Sequence, residues 1–179
     1  MLNIFFPDAA VRRAWDVPYA DFYEKGYRAI LFDIDNTLVY PDAPADEPCK
    51  KFINELKNLG YQIAVISNNK GPRVESFAAD CGIDYVAKAG KPLRSGYERG
   101  MERFHATPQT TLFVGDQLFT DVWGAGRLGI YSILVEPMTL KEEPQIVLKR
   151  LLEKPVLYAY RKKTTGKKEE LQVKKENHG

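Results

Sequence analysis

Between residues 28 and 135 the chain alternates five short apolar runs, rich in β-branched and aromatic residues, with stretches of helical periodicity. The runs are Arg28 to Phe32, Tyr61 to Ile66, Asp84 to Ala87, Thr111 to Val114 and Tyr131 to Val135. Runs this short and continuous read as strands covered on both faces, and strands joined through helices lie parallel. The pattern predicts a three-layer, Rossmann-like α/β fold, a five-stranded parallel sheet flanked by helices. Cys49 to Leu59 sets Phe52, Ile53, Leu56 and Leu59 at helical spacing, and Pro72 to Cys81 does the same with Val74, Phe77, Ala78 and Cys81. Gly60 and Gly82 follow these two helices, as a left-handed terminating residue should. Leu93 to Phe104 and Phe119 to Leu128 are the remaining helices of the alternation.

The alternation fills most of the 179 residues, so the chain holds one domain, assigned to 1–160. After Pro137 an amphipathic helix is expected over Glu142 to Glu153, with Pro155 interrupting it. Residues 161–179 are mostly Lys, Glu, Gly, Thr and Gln, a composition that cannot offset the entropy of ordering, so a basic disordered tail is expected there. Residues 149–179 carry ten Lys and Arg against four Asp and Glu, whereas 1–148 carry sixteen against twenty. A mildly acidic body thus ends in a basic segment. The longest uncharged stretches, 58–69 and 104–115, are 12 residues each, too short to span a bilayer as a helix. The opening Met-Leu-Asn-Ile-Phe-Phe-Pro has no basic leader before a long apolar run, which favours a cytoplasmic protein. Cys49 and Cys81 stand alone in sequence and read as core thiols, not as zinc or disulfide partners.

Chemistry concentrates where the predicted strands end. The first run leads into Asp33-Ile34-Asp35-Asn36-Thr37. Carboxylates at i and i+2 of an extended chain point to one side about 6–7 Å apart, a span that brackets a tetrahedral phosphorus. Ser67-Asn68 follows the second strand just before a helix, where unpaired backbone N–H groups and a hydroxyl make an anion site. Lys91 follows the third strand, and Gly115-Asp116, with Asp121, follows the fourth. Singly, each has an ordinary role: Asx residues capping a turn, Ser67 as an N-cap, Lys91 as a solvated cation. In this order, at the carboxyl ends of successive strands, they converge on one crevice.

This constellation resembles the haloacid dehalogenase superfamily of phosphohydrolases over residues 29–135. The four motifs are Asp33 to Thr37, Ser67, Lys91, and Gly115-Asp116 through Asp121. The resemblance implies that Asp33 is the nucleophile that becomes an aspartyl phosphate and that Asp35 is the general acid and then the base. It implies catalytic and phosphate-binding roles for Lys91, and places Thr37, Ser67 and Asn68 on the phosphate oxygens. Splitting hydrolysis into transfer and release avoids attack of free water on a dianion. Three aspartates and a phosphate dianion in one crevice demand cations, since like charges at 4 Å repel by about 4 kcal/mol at an effective dielectric of 20. Lys91 supplies one; the cofactor expected is Mg²⁺, held by Asp33, the Ile34 carbonyl and Asp116. Asp121 either binds the metal, directly or through water, or holds Lys91 in place.

Asp33 and Ser67 lie 34 positions apart, and Ser67 and Lys91 lie 24 apart, so neither gap can house a cap domain. An open site suits a large substrate, one presented by a surface, or one closed over by a second copy of the chain. Within the superfamily the chain resembles the YqeG group of capless phosphatases, through Phe6-Pro7-Asp8, residues 26–37, Val65 to Asn69, Lys91-Pro92 and Gly115 to Val122. That group is related to mitochondrial phosphatidylglycerophosphate phosphatases, which implies hydrolysis of phosphatidylglycerophosphate to phosphatidylglycerol at the inner face of the membrane. The aromatic N-terminal segment and the segment from Lys149 to Lys163, mixing Leu, Val and Tyr with cations, suit peripheral contact with an anionic surface, or else pack on the domain. The alternatives are a phosphatase of a soluble sugar phosphate, nucleotide or phosphorylated macromolecule, a phosphotransferase, and a non-catalytic phosphate-binding scaffold. No nucleic-acid-binding motif is present, so nucleic acid is not an expected partner.

Overall fold

A computed structural model describes residues 2–139 and 151–164. Its centre is a fully parallel sheet of strands β1 (Ala9–Val11), β2 (Ala29–Phe32), β3 (Gln62–Ile66), β4 (Asp84–Val86), β5 (Thr111–Gly115) and β6 (Tyr131–Val135), in the spatial order β1-β6-β5-β2-β3-β4. Helices α1 (Tyr19–Glu24), α2 (Glu47–Asn58), α3 (Gly71–Cys81), α4 (Arg94–Glu102) and α5 (Trp123–Gly126) connect the strands, and residues 151–164 form a sixth, α6.

The three-layer expectation holds, and the sheet has six strands, not five. The added strand, β1, runs parallel to β6 with Ala9 opposite Ile133 and Val11 opposite Val135. Three residues reading Ala-Ala-Val give too little pattern to identify a strand. The edge is pinned instead by Asp8, whose Oδ2 accepts from the Ser132 amide at 2.8 Å and its hydroxyl at 3.0 Å. Asp8→Ala leaves the buried Ser132 donors to find water, at a cost of about 1–2 kcal/mol. We expect thermal unfolding to show Tm lower by roughly 3–6 °C, with activity per folded molecule unchanged.

Every residue of β2 is buried, and alternate side chains enter opposite layers. Ile30 and Phe32 join Ile63, Val65, Leu112 and Val114 under α2 and α3, while Leu31 joins Ala64, Ile66 and Phe113 under α4 and α5. α2 is capped by Asp46, whose side chain accepts from the Cys49 amide at 2.8 Å, and buries Cys49, Phe52, Ile53 and Leu56. Cys49 and Cys81 are both buried and unoxidised, facing each other from α2 and α3.

Two differences from the sequence reading concern the C-terminal part. Pro155 lies within helical residues 151–164 and does not interrupt them. Residues 161–164, expected to open the disordered tail, continue that helix; the helix expected over Glu142 to Glu153 falls mostly, and the tail after residue 164 wholly, outside the described residues. α6 is tied to the body by Glu153, 2% exposed, whose Oε1 accepts from the Leu118 amide at 2.8 Å. Phe5, Phe6 and Leu157 pack against Leu118, Val122, Leu134 and Val156. Most of the aromatic N-terminal segment is therefore spent on the domain, while Ile4, Leu151, Leu152 and Tyr158 stay exposed. Among the described residues no helix is long and apolar enough to cross a membrane.

Candidate active site

Strand order reverses between β2 and β5, from which the chain proceeds outward in opposite directions. Crossovers on opposite faces open a crevice beyond the carboxyl ends of two such strands. Asp33 follows β2 and Asp116 follows β5, so both stand at this point; the Asp33 amide extends the ladder by donating to Val114 O at 2.9 Å. A cleft of about 630 Å³ elsewhere, lined by Tyr27, Gln109, Arg127 and Tyr131 at the amino ends of the strands, contains none of the expected site residues.

The four sequence motifs are joined by hydrogen bonds into one closed circuit. Lys91 Nζ donates to Asp33 Oδ1 at 2.6 Å and to Asp121 Oδ1 at 2.7 Å, with the ammonium almost wholly buried. The Thr37 hydroxyl donates to Asp116 Oδ1 at 3.5 Å. Asn68 clamps the Lys91 backbone from both sides: its Oδ1 accepts from the Lys91 amide at 2.7 Å and its Nδ2 donates to Lys91 O at 3.0 Å. Asn69 Nδ2 closes the circuit by donating to Asp35 Oδ2 at 2.6 Å. Ser67 Oγ accepts from the Asn69 amide at 3.1 Å, which leaves the hydroxyl proton for another acceptor.

Carboxylate oxygens of Asp33, Asp116 and Asp121 lie within 4.8 Å of one another, all buried. Burial first, then the Asp121 charge, lift Asp33 against the opposing pull of Lys91, so that its carboxyl is pushed up to about 7. Burial alone would discharge Lys91, but Asp121 and Asp33 outweigh it and hold the ammonium above its ordinary value. Three buried carboxylates against one buried ammonium leave a deficit of positive charge. An oxygen-lined trio of this kind fits a hard divalent cation.

The chain after β5 makes the approach of Asp121 possible. Residues Leu118–Val122 form one wide helical turn, and Asp121 Oδ2 accepts from the Gln117 amide at 3.0 Å. A Cβ on residue 115 would lie 2.5 Å from that oxygen, so only glycine lets Asp121 fold back against the end of β5. Tyr97, wholly buried, braces the turn by donating its hydroxyl to Thr120 O.

The Ile34 carbonyl, expected as a metal ligand, accepts from the amides of Thr37, Leu38 and Val39 of its own loop at 3.2, 2.9 and 3.3 Å. The tight Asp35 to Val39 turn, with Asn36 in the left-handed region at φ 65°, is what the spacing of two aspartates could not reveal. Sequence reasoning also missed Arg73, whose Nη2 lies 3.2 Å from Asp35 Oδ1. Its position in the first turn of α3 was the available signal, since a long side chain there reaches back over the preceding strand end.

The profile of the haloacid dehalogenase-like hydrolases matches residues 41–129. The Bacillus subtilis (strain 168) protein named Probable phosphatase YqeG is 32% identical over 165 residues, covering 91% of this chain and 96% of that one. Phosphatidylglycerophosphate phosphatase 1, chloroplastic/mitochondrial, of Arabidopsis thaliana is 32% identical over 145 residues, covering 74% of this chain. This chain spans 42% of that longer protein. Among solved structures, YfnB from Bacillus subtilis, bound to magnesium, superposes with a TM-score of 0.50 at 14% identity, covering 66% of this chain and 91% of that one, a likeness of fold.

Proposed function

The chain belongs to the haloacid dehalogenase-like hydrolases and is a phosphatase; from that premise we propose that it removes the terminal phosphate of phosphatidylglycerophosphate by way of an aspartyl phosphate on Asp33. The observation that carries the chemistry is Lys91 buried between Asp33 and Asp121 beside Asp116. The lipid substrate is supported by the plant relative's name and by a crevice over which the described residues place no cap domain.

An oxygen of Asp33 attacks phosphorus while the bond to the leaving oxygen breaks, and Asp35 gives that oxygen its proton. Asp35 then takes a proton from water as the water oxygen attacks the phosphoryl group and Asp33 departs. Thr37, the Ser67 hydroxyl and the Asn68 backbone hold the equatorial oxygens, and Lys91 offsets their charge at the buried end. Mg²⁺ would be held by Asp33, Asp116 and Asp121. When bound, it neutralises charge on the transferring group. Asp121 holds Lys91 and belongs to the carboxylate trio.

Peripheral contact with an anionic membrane face, from the cytoplasmic side, is supported by α6, where Leu151, Leu152 and Tyr158 are exposed alongside Arg161, Lys162 and Lys163. The test is phosphate release from phosphatidylglycerophosphate in mixed micelles beside a panel of soluble monoesters, with and without Mg²⁺. We expect the lipid to be turned over at least tenfold faster than any soluble ester, and only with the metal. A soluble ester that equals it removes the lipid assignment and leaves the chemistry; full activity in chelator removes the metal.

A further inference from the structure

We propose that Asn69 and Arg73 are positioning residues that present a single lone pair of Asp35 Oδ2 to the leaving oxygen, an inference that rests on Asp35 being the general acid and base. Each carboxylate oxygen has two lone pairs. Asp35 Oδ1 has both occupied: it accepts from the Asp42 amide at 2.9 Å and from Arg73 Nη2 at 3.2 Å. Among the described residues Oδ2 has one occupied, by Asn69 Nδ2 at 2.6 Å. The remaining lone pair of Oδ2 is therefore the place on this side chain where the travelling proton sits. From there it passes to the leaving oxygen as the P–O bond breaks, and it returns from the attacking water as the bond from phosphorus to Asp33 breaks.

Arg73 fixes more than one oxygen. The same Nη2 donates to Ala43 O at 2.6 Å, in the loop that supplies the Asp42 amide, so one guanidinium holds the carboxylate and its other donor together. Its plane lies over the Phe77 ring, 5.6 Å from the centroid. Arg73 Nε is buried with no hydrogen-bond partner among the described residues. An arginine placed to satisfy its own donors would not bury one unpaired; this one sits where its Nη2 contacts require. Asn69 follows Ser67-Asn68 directly, so its amide is aimed by the same turn that anchors Lys91.

A misaimed acid penalises poor leaving groups far more than good ones, which leave without a proton. We therefore compare kcat and KM on p-nitrophenyl phosphate, a good leaving group, and glycerol 3-phosphate, a poor one, for wild type, Asn69→Ala, Arg73→Gln and Asp35→Asn. Asn69→Ala and Arg73→Gln should each lower kcat/KM, which reads transfer to Asp33 and not the later hydrolysis common to both esters, by about 10²-fold on the alkyl ester, the cost of a displacement of about 1 Å, and by less than about threefold on the aryl ester. Adding Asn69→Ala to Asp35→Asn should cost nothing further on the alkyl ester, because two residues acting through one proton are not additive. Equal losses on both esters or full additivity with Asp35→Asn would overturn the proposal. Should Asp35→Asn itself spare the alkyl ester, the general-acid role fails instead, a different result. Arg73→Gln also releases Ala43, so if that variant unfolds, Asn69→Ala decides.

Discussion

Asp33→Asn will abolish turnover, by about 10⁴-fold or more in kcat, while the protein remains folded. The amide matches the carboxylate in size, and its oxygen can still accept from Lys91 across the 2.6 Å contact. What it lacks is a nucleophilic oxygen, and the neighbouring carboxylates are engaged: Asp121 by Lys91 and the Gln117 amide, Asp116 by the Thr37 hydroxyl, and Asp35 by Asn69 and Arg73. Stability should not fall. Asp33 is a buried carboxyl pushed up to about 7, so at neutral pH the fold gains little from its charge, and one carboxylate fewer relieves Asp121. The measurement is single-turnover phosphate release, with acid quench to look for phosphoprotein, beside a melting curve. Residual turnover within tenfold of wild type would mean that the phosphate is attacked by water directly and that Asp33 serves only to bind.

The fate of individual residues shows what the sequence could and could not carry. Strands β2, β3, β5 and β6 were legible because each is buried almost throughout and so reads as a continuous apolar run, whereas β4, a three-residue edge strand with Asp84 exposed, was legible from its place between two helical stretches; Phe52, Val74 and Phe77 fell into the core where helical spacing put them. β1 was illegible because what defines it is a pair of bonds between Asp8 and Ser132, 124 residues apart. The convergence of Asp33, Asp116 and Asp121 followed from topology, since they stand at the carboxyl ends of β2 and β5, which lie side by side, while Lys91 reaches them through the loop after β4, beyond β3. Orientation within that crevice did not follow. The Ile34 carbonyl accepts from three amides of its own loop, and Asp35 is held by Arg73 from 38 residues further along. Pro155 misled for a related reason: a proline removes one helical hydrogen bond, and the contacts of Glu153 and Val156 with the body hold the helix around it.

Lys91→Met should be the most destabilising single change in the crevice. Methionine replaces the stem of the lysine but leaves Asp33 and Asp121, 7% and 1% exposed, without the cation between them. Breaking a buried ion pair from one side costs about 3–5 kcal/mol, or roughly 10 °C in Tm for a domain of this size. The loss should depend on pH with a definite sign. Asp33 is already raised in the folded protein by burial, with Lys91 the principal group opposing the rise. Without Lys91 the folded state holds the proton on Asp33 to still higher pH, whereas the unfolded chain releases it near 4. Where the folded state binds more protons than the unfolded one, stability falls as pH rises. The deficit of Lys91→Met relative to wild type should therefore be small at pH 5 and full at pH 8, and Mg²⁺ should recover part of it by restoring positive charge to the trio. Melting curves at both pH values, with Mg²⁺ and with chelator, read all three effects. A deficit that does not change with pH would mean that the lysine stem contributes by packing against Phe113, 5.5 Å from the ammonium, and that the charge between the two aspartates adds little to the fold.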